Sequence, residues 1–173
     1  FNEPGVAERE FERDVDTTLR AIYFAASGDA GPRNDPATPN PFGMVPTGRG
    51  LLDALPVPGT LPAWLTESDL AVFVQSYQAS GFRGGLNYYR NLDRNWALQG
   101  ALEGKKVDVP ALFLVGERDT GLAIPGMDQI IDAMPALVPQ LRAREIIPGA
   151  GHWLQQEAPQ QVNRALIDFL RSL

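Results

Sequence analysis

The chain has 173 residues, 44% of them hydrophobic and 21% charged, with no cysteine, one histidine and a net charge of −6. That is enough for one ordinary domain with a sizeable core, and the balance is that of a globular rather than a disordered chain. Arginines scattered among acids argue against binding nucleic acid or an anionic membrane, no apolar run approaches the ~18 residues that span a bilayer, and the lack of cysteine excludes disulfides and thiolate metal sites.

One histidine likewise speaks against a histidine-based metal site, and a cysteine-free chain fits a cytoplasmic location. No secretory signal pattern is present, and Phe1 is not expected to be a native start.

Residues 5–26 are predicted to form a helix, because Ala7, Phe11, Val15, Leu19 and Ile22 recur at spacings of four and three. Pro4 suits its first turn. Residues 28–62 follow, holding eight of the 15 prolines, a composition that breaks regular structure and marks a lid or a linker. Phe42, Met44, Leu51, Leu52, Leu55 and Trp64, in or beside it, either line an apolar pocket or pack the lid. Thr66-Glu67-Ser68-Asp69 is a capping box for a helix that buries Leu70, Phe73, Val74 and Tyr77 and stops at Gly81. A third helix is expected from Leu86 to about Leu98, and residues 103–108 read as a polar turn.

From there the texture changes to αβ. The pattern predicts a strand over 109–115, a helix over 126–137, a strand over 142–147 and a last helix over 159–171. We therefore expect a helical piece, 1–100, and the end of a parallel sheet, 101–173. Two parallel strands do not bury both faces of such a sheet, and the continuous apolar run 111–115 reads as an internal strand. Further strands are expected from polypeptide outside these residues.

The first strand leads into Glu117-Arg118-Asp119, and the second into Gly149-Ala150-Gly151-His152-Trp153. Taken singly, Asp119 reads as a turn cap and His152 as a surface loop residue. Together, on consecutive strand ends where open sheets bind ligands, they form the acid-then-base part of a hydrolase triad. No nucleophile precedes Asp119, so the chain is expected to be the back half of an enzyme and inactive alone. A second cluster is Tyr88-Tyr89-Arg90-Asn91-Leu92-Asp93-Arg94-Asn95-Trp96. On one continuous helix Tyr89, Asp93 and Trp96 would share a face. These aromatics are either core residues or phenol donors to an oxygen that gains charge as a bond breaks.

Four segments carry a family resemblance: Phe-Asn-Glu-Pro-Gly-Val-Ala-Glu-Arg-Glu (1–10), Gly-Phe-Arg-Gly-Gly-Leu-Asn-Tyr-Tyr-Arg-Asn-Leu-Asp-Arg-Asn-Trp (81–96), Val-Gly-Glu-Arg-Asp (115–119) and Gly-His-Trp-Leu-Gln-Gln-Glu-Ala-Pro (151–159). Together they resemble the soluble epoxide hydrolases of the α/β-hydrolase superfamily. The resemblance implies a helical cap followed by the last strands and helices of the core. It implies that Tyr89 is a cap tyrosine bonding the epoxide oxygen, Asp119 the triad acid and His152 the triad base. Tyr88 and Trp153 then belong to the substrate wall. A second tyrosine, an aspartate nucleophile and an oxyanion loop would lie before Phe1.

The implied partners are an N-terminal half of the same enzyme, an apolar epoxide and water, with room for a homodimer. The implied reaction is detoxifying hydrolysis through an aspartyl ester, with no metal or organic cofactor. A dehalogenase is a close rival, but a leaving halide takes no proton and gives paired tyrosines no task. A serine esterase of the same fold and a non-catalytic fragment that only associates with its other half are the remaining alternatives.

Overall fold

A computed structural model describes residues 3–31, 45 and 48–173. It divides into two compact units, Phe1–Phe24 with Val45–Gly104 and Ala25–Met44 with Lys105–Leu173. The stretch beginning at Ala25 thus groups with the αβ end of the chain, although it lies early in the sequence.

The first unit is helical. The single helix expected over 5–26 is two, α1 (Val6–Glu12) and α2 (Val15–Ala26). Asp14 makes the break, because its carboxylate accepts from the Thr17 N–H at 3.1 Å and the Thr17 hydroxyl at 2.7 Å. That is a new N-cap, and the Thr18 hydroxyl donates back to the Phe11 carbonyl at 2.9 Å. Pro4 lies ahead of α1 rather than in its first turn.

α3 (Glu67–Ser80) starts at the expected capping box: Thr66 Oγ1 accepts from the Asp69 N–H at 3.2 Å, and Asp69 accepts from the Thr66 N–H at 3.1 Å. The helix expected over 86–98 is also divided, into α4 (Arg83–Arg90) and α5 (Leu92–Leu98). Between them Asn91 donates twice to the Asn87 carbonyl, from its backbone N–H at 3.2 Å and from its side-chain amide at 2.8 Å, a local side-chain bond of the kind that favours a helix end.

Phe11, Leu19, Leu70, Phe82 and Leu86 form the core of this unit, with Leu70 wholly buried. Phe11 meets Phe82 edge-on at 5.4 Å, and Tyr77 stacks on Phe82 at 4.4 Å. Leu51, Leu52 and Trp64 pack against this cluster and Leu55 is buried. Of the two readings, packing is the one seen for these four, while Phe42 and Met44 lie outside the described residues.

Three glutamates of α1 tie the unit together. Glu10 accepts from the Leu52 N–H at 2.8 Å and Glu12 from the Phe82 N–H at 3.1 Å. Glu8 takes both terminal nitrogens of Arg90 at 2.7 and 2.8 Å, with both side chains about nine-tenths buried. This bidentate pair fixes α4 against α1.

The second unit is built on β1 (Ala111–Gly116), α6 (Met127–Leu137), β2 (Leu141–Ile147), α7 (Leu154–Glu157) and α8 (Pro159–Arg171). β1 and β2 pair in parallel from Ala111↔Leu141 to Gly116↔Ile147, with α6 as the crossover. Pro135 sits inside α6, which leaves the carbonyl four residues back without its helical donor. Arg144 of β2 donates to that carbonyl, Ile131 O, at 2.7 Å. Ile147, Ala150, Leu154, Ala158 and Val162 make a small core with Leu114. The run 111–115 is half-buried, since within the described residues it has one neighbouring strand.

The Arg90 guanidinium holds the Glu8 carboxyl down to about 2, below its ordinary 4.5. A depressed folded-state value means that the pair stabilises fully above about 4.5 and progressively less as pH falls toward 2. Arg90→Met is expected to lower the thermal unfolding midpoint strongly at pH 7 and much less near pH 2. An equal loss at both pH values would show that the ion pair is not what holds α4.

Candidate functional site in the second unit

Because the strands are parallel, β1 and β2 end at the same edge, and the segments beyond them run side by side. Three consecutive residues after β1 each reach across. The Glu117 carboxylate accepts from the Gly149 N–H at 2.9 Å, while the Glu117 N–H donates to the Ile147 carbonyl at 3.0 Å. The Arg118 N–H donates to the Ala150 carbonyl at 2.8 Å, and its guanidinium to the Gly28 carbonyl at 3.0 Å. Asp119 reaches the histidine.

The His152 Nδ1 lies 3.2 and 3.1 Å from the two oxygens of Asp119. An ionised carboxylate only accepts, so Nδ1 carries the proton and Nε2 keeps its lone pair in the neutral ring. Asp119 Oδ1 also accepts from the Gly121 N–H at 2.7 Å, opening the 3-10 turn Thr120–Ala123. The acid is thus both a turn cap and the histidine's partner, two roles that the sequence alone sets against each other. The Asp119 side chain is 15% exposed and that of His152 51%, an arrangement that shields the acid and leaves the imidazole accessible. The hydrogen bond to Asp119 raises the His152 pKa above its ordinary 6.5, aided by the negative charges of Asp119 and Glu157 and partly offset by desolvation.

The loop carrying His152 is closely packed. The His152 N–H donates to the Ala26 carbonyl at 3.0 Å, so the end of α2 supports the loop from behind. A Cβ on Gly28 would overlap the Gly149 carbonyl, and one on Gly151 would overlap the Gly28 amide. Glycine is therefore required at both positions by close backbone approach rather than by turn shape. Glu157, at the end of α7, accepts from the N–H groups of Gly28, Gly151 and Trp153 at 2.8, 2.8 and 2.9 Å. The Trp153 ring stands edge-on to His152 with centroids 5.1 Å apart.

Tyr88 and Tyr89 belong to the first unit, on the last turn of α4, and contact each other edge-on at 5.9 Å. They are 73% and 54% exposed and Trp96 is 78% exposed, so none of the three is buried by the described residues. Tyr89 lies on α4, and Asp93 and Trp96 on α5, rather than on the one helix expected. Sequence reasoning gave no role to Glu157, Glu117, Arg118 or the Ala26–Gly28 support. Glu117 and Arg118 stand in Val-Gly-Glu-Arg-Asp (115–119) and Glu157 in the motif at 151–159, whereas the Ala26–Gly28 support had no signal. Among the described residues no three His, Asp or Glu side chains are grouped to hold a metal ion. No described helix is long and apolar enough to cross a membrane.

No protein-family model matches the chain. Its sequence is 37% identical to epoxide hydrolase A of Mycobacterium tuberculosis over 173 residues, covering all of this chain and 51% of that protein. It is 35% identical to epoxide hydrolase 1 of Siraitia grosvenorii, covering 99% of this chain and 51% of that protein. In structure it matches an epoxide hydrolase from an endophytic Streptomyces with a TM-score of 0.88 and 42% identity, over 98% of this chain and 50% of the other. The chain belongs to the epoxide hydrolase family of the α/β-hydrolase fold. It spans about half the length of each relative, and it is the part that carries the cap and the end of the core.

A raised folded-state value means that the Asp119–His152 pair stabilises fully below about 6.5 and loses that contribution as pH rises through the folded value. An NMR titration of His152, the one histidine of this chain, is expected to give a midpoint above 6.5, and Asp119→Asn is expected to lower it. An unchanged midpoint in Asp119→Asn would show that the carboxylate does not set the imidazole's basicity.

Proposed function

We propose that this chain is the C-terminal half of an enzyme that hydrolyses epoxides to vicinal diols. Tyr89 is its donor to the epoxide oxygen, Asp119 its triad acid and His152 its general base. The observation that carries this reading is the Asp119–His152 hydrogen bond at the shared edge of two parallel strands, in a chain related throughout to epoxide hydrolases. Tyr88 and Trp153 contribute substrate wall, and the N-terminal half supplies the nucleophile.

In the first step a carboxylate from that half attacks an epoxide carbon and the carbon–oxygen bond opens. The oxygen gains charge as the bond breaks, and alkoxides are poor leaving groups in water. A pre-placed phenol meets that charge and passes its proton to the oxygen. The product is an ester to the enzyme. In the second step His152 Nε2 removes a proton from water, and the hydroxide formed adds to the ester carbonyl. Collapse of the adduct frees the diol and regenerates the carboxylate, and His152 returns its proton to restore the phenol. Throughout, Asp119 holds the imidazole tautomer and stabilises the imidazolium that forms.

In the full-length protein, His152→Gln is expected to accumulate a covalent ester, seen by mass spectrometry as a gain equal to the mass of the epoxide. Tyr89→Phe is expected to slow ester formation by about 10²-fold while leaving ester hydrolysis the less affected step. Loss of the first step in His152→Gln, with no trapped ester, would overturn this division of roles.

A further inference from the structure

Three consecutive backbone amides, those of Gly151, His152 and Trp153, hold the loop that presents the imidazole. The middle one donates to the Ala26 carbonyl, and both of its neighbours donate to Glu157. Glu157 takes a further amide, from Gly28, two residues beyond Ala26. One half-buried carboxylate thus joins both sides of the histidine to the segment that supports it. Its two oxygens divide the task, with Oε2 taking Gly28 and Gly151 and Oε1 taking Trp153.

We infer that Glu157 is a positioning residue for the second step of the reaction: its carboxylate clamps the Gly28, Gly151 and Trp153 amides and so fixes His152 where it activates water on the ester. The inference rests on the reading of His152 as general base. Glu157 does not touch the reacting atoms and acts only through the histidine. A carboxylate is suited to the task because both oxygens accept and neither donates. Glutamine at 157 has the same shape but offers one acceptor oxygen and sets an NH₂ group against a backbone N–H. The clamp then opens on one side while Asp119 still holds Nδ1 on the other. The result is a displaced imidazole rather than an absent one. A displacement of about 1 Å is worth up to about 10²-fold in rate.

The test uses the full-length enzyme in excess over a chromophoric aryl epoxide, so that single-turnover rate constants report only on active molecules. Glu157→Gln is expected to form the ester at the wild-type rate and to hydrolyse it about 10- to 100-fold more slowly. Two outcomes would overturn the inference: unchanged ester hydrolysis, or equal slowing of both steps, since the latter is what a general structural fault produces. His152→Gln is run alongside. If it traps the ester and Glu157→Gln behaves as wild type, the clamp is refuted and the role of His152 stands. If His152→Gln traps none, the role of His152 itself is refuted. Should Glu157→Gln fail to fold, Glu157→Asp, which keeps the charge and retracts it by one methylene, is judged by the same two rate constants.

Discussion

Parallel pairing of β1 with β2 governs the second unit, because it sends both strands out at one edge with their last partners, Gly116 and Ile147, in register. Antiparallel pairing would deliver the two following segments to opposite ends. With the register set, Glu117, Arg118 and Asp119 meet the segment 147–152 residue by residue. Asp119 and His152 are then separated by 33 positions in sequence and by one hydrogen bond in space. The crossover that parallel pairing demands includes a proline, and the carbonyl this leaves without a donor is met from β2 by Arg144. The same two strands thus create the need and fill it.

An excess of acids gives the chain its net charge of −6, and many of those acids serve as backbone acceptors. Glu10, Glu12, Asp14 and Asp69 do so in the first unit, and Glu117, Asp119 and Glu157 in the second. An irregular segment brings N–H groups that no helix or ladder satisfies, and each must find an acceptor if it leaves water. A chain with long turn-rich connections has many such groups. Carboxylates nearby supply acceptors with two oxygens each. Glu8 does both tasks, accepting from the Gly5 N–H at 2.8 Å while it pairs with Arg90 and so fixes helix to helix.

The elements whose determinants lie within a few residues were legible. α3 follows from its capping box, α8 from Pro159 and its apolar stripe, and the strand–helix–strand order from the change of period near residue 109. The misread boundaries have local causes of a kind that periodicity does not weigh. Asp14 and Asn91 each offer the backbone a side-chain partner, and each ends a helix whose apolar pattern runs on regardless. The Asp119–His152 pair was legible because strand ends and chain order constrain it. The support from Ala26 and Gly28 was not, since it arrives from more than a hundred residues away and consists of backbone groups that every residue possesses.

On the proposed reading, a site divided between two stretches of polypeptide makes a physical demand on the part that holds the base. The imidazole must keep its tautomer and direction whatever supplies the nucleophile, or the second step would depend on contacts formed only in the first. In this chain that demand is met within the second unit. Nδ1 is held by Asp119, the loop amides by Ala26 and Glu157, and the backbone approach by glycines that leave no room for a side chain. The imidazole is therefore held by residues that come before and after it in the same unit. On that reading the other half need only bring its carboxylate to a group already in place, an arrangement that lowers the cost of ordering the site when substrate binds.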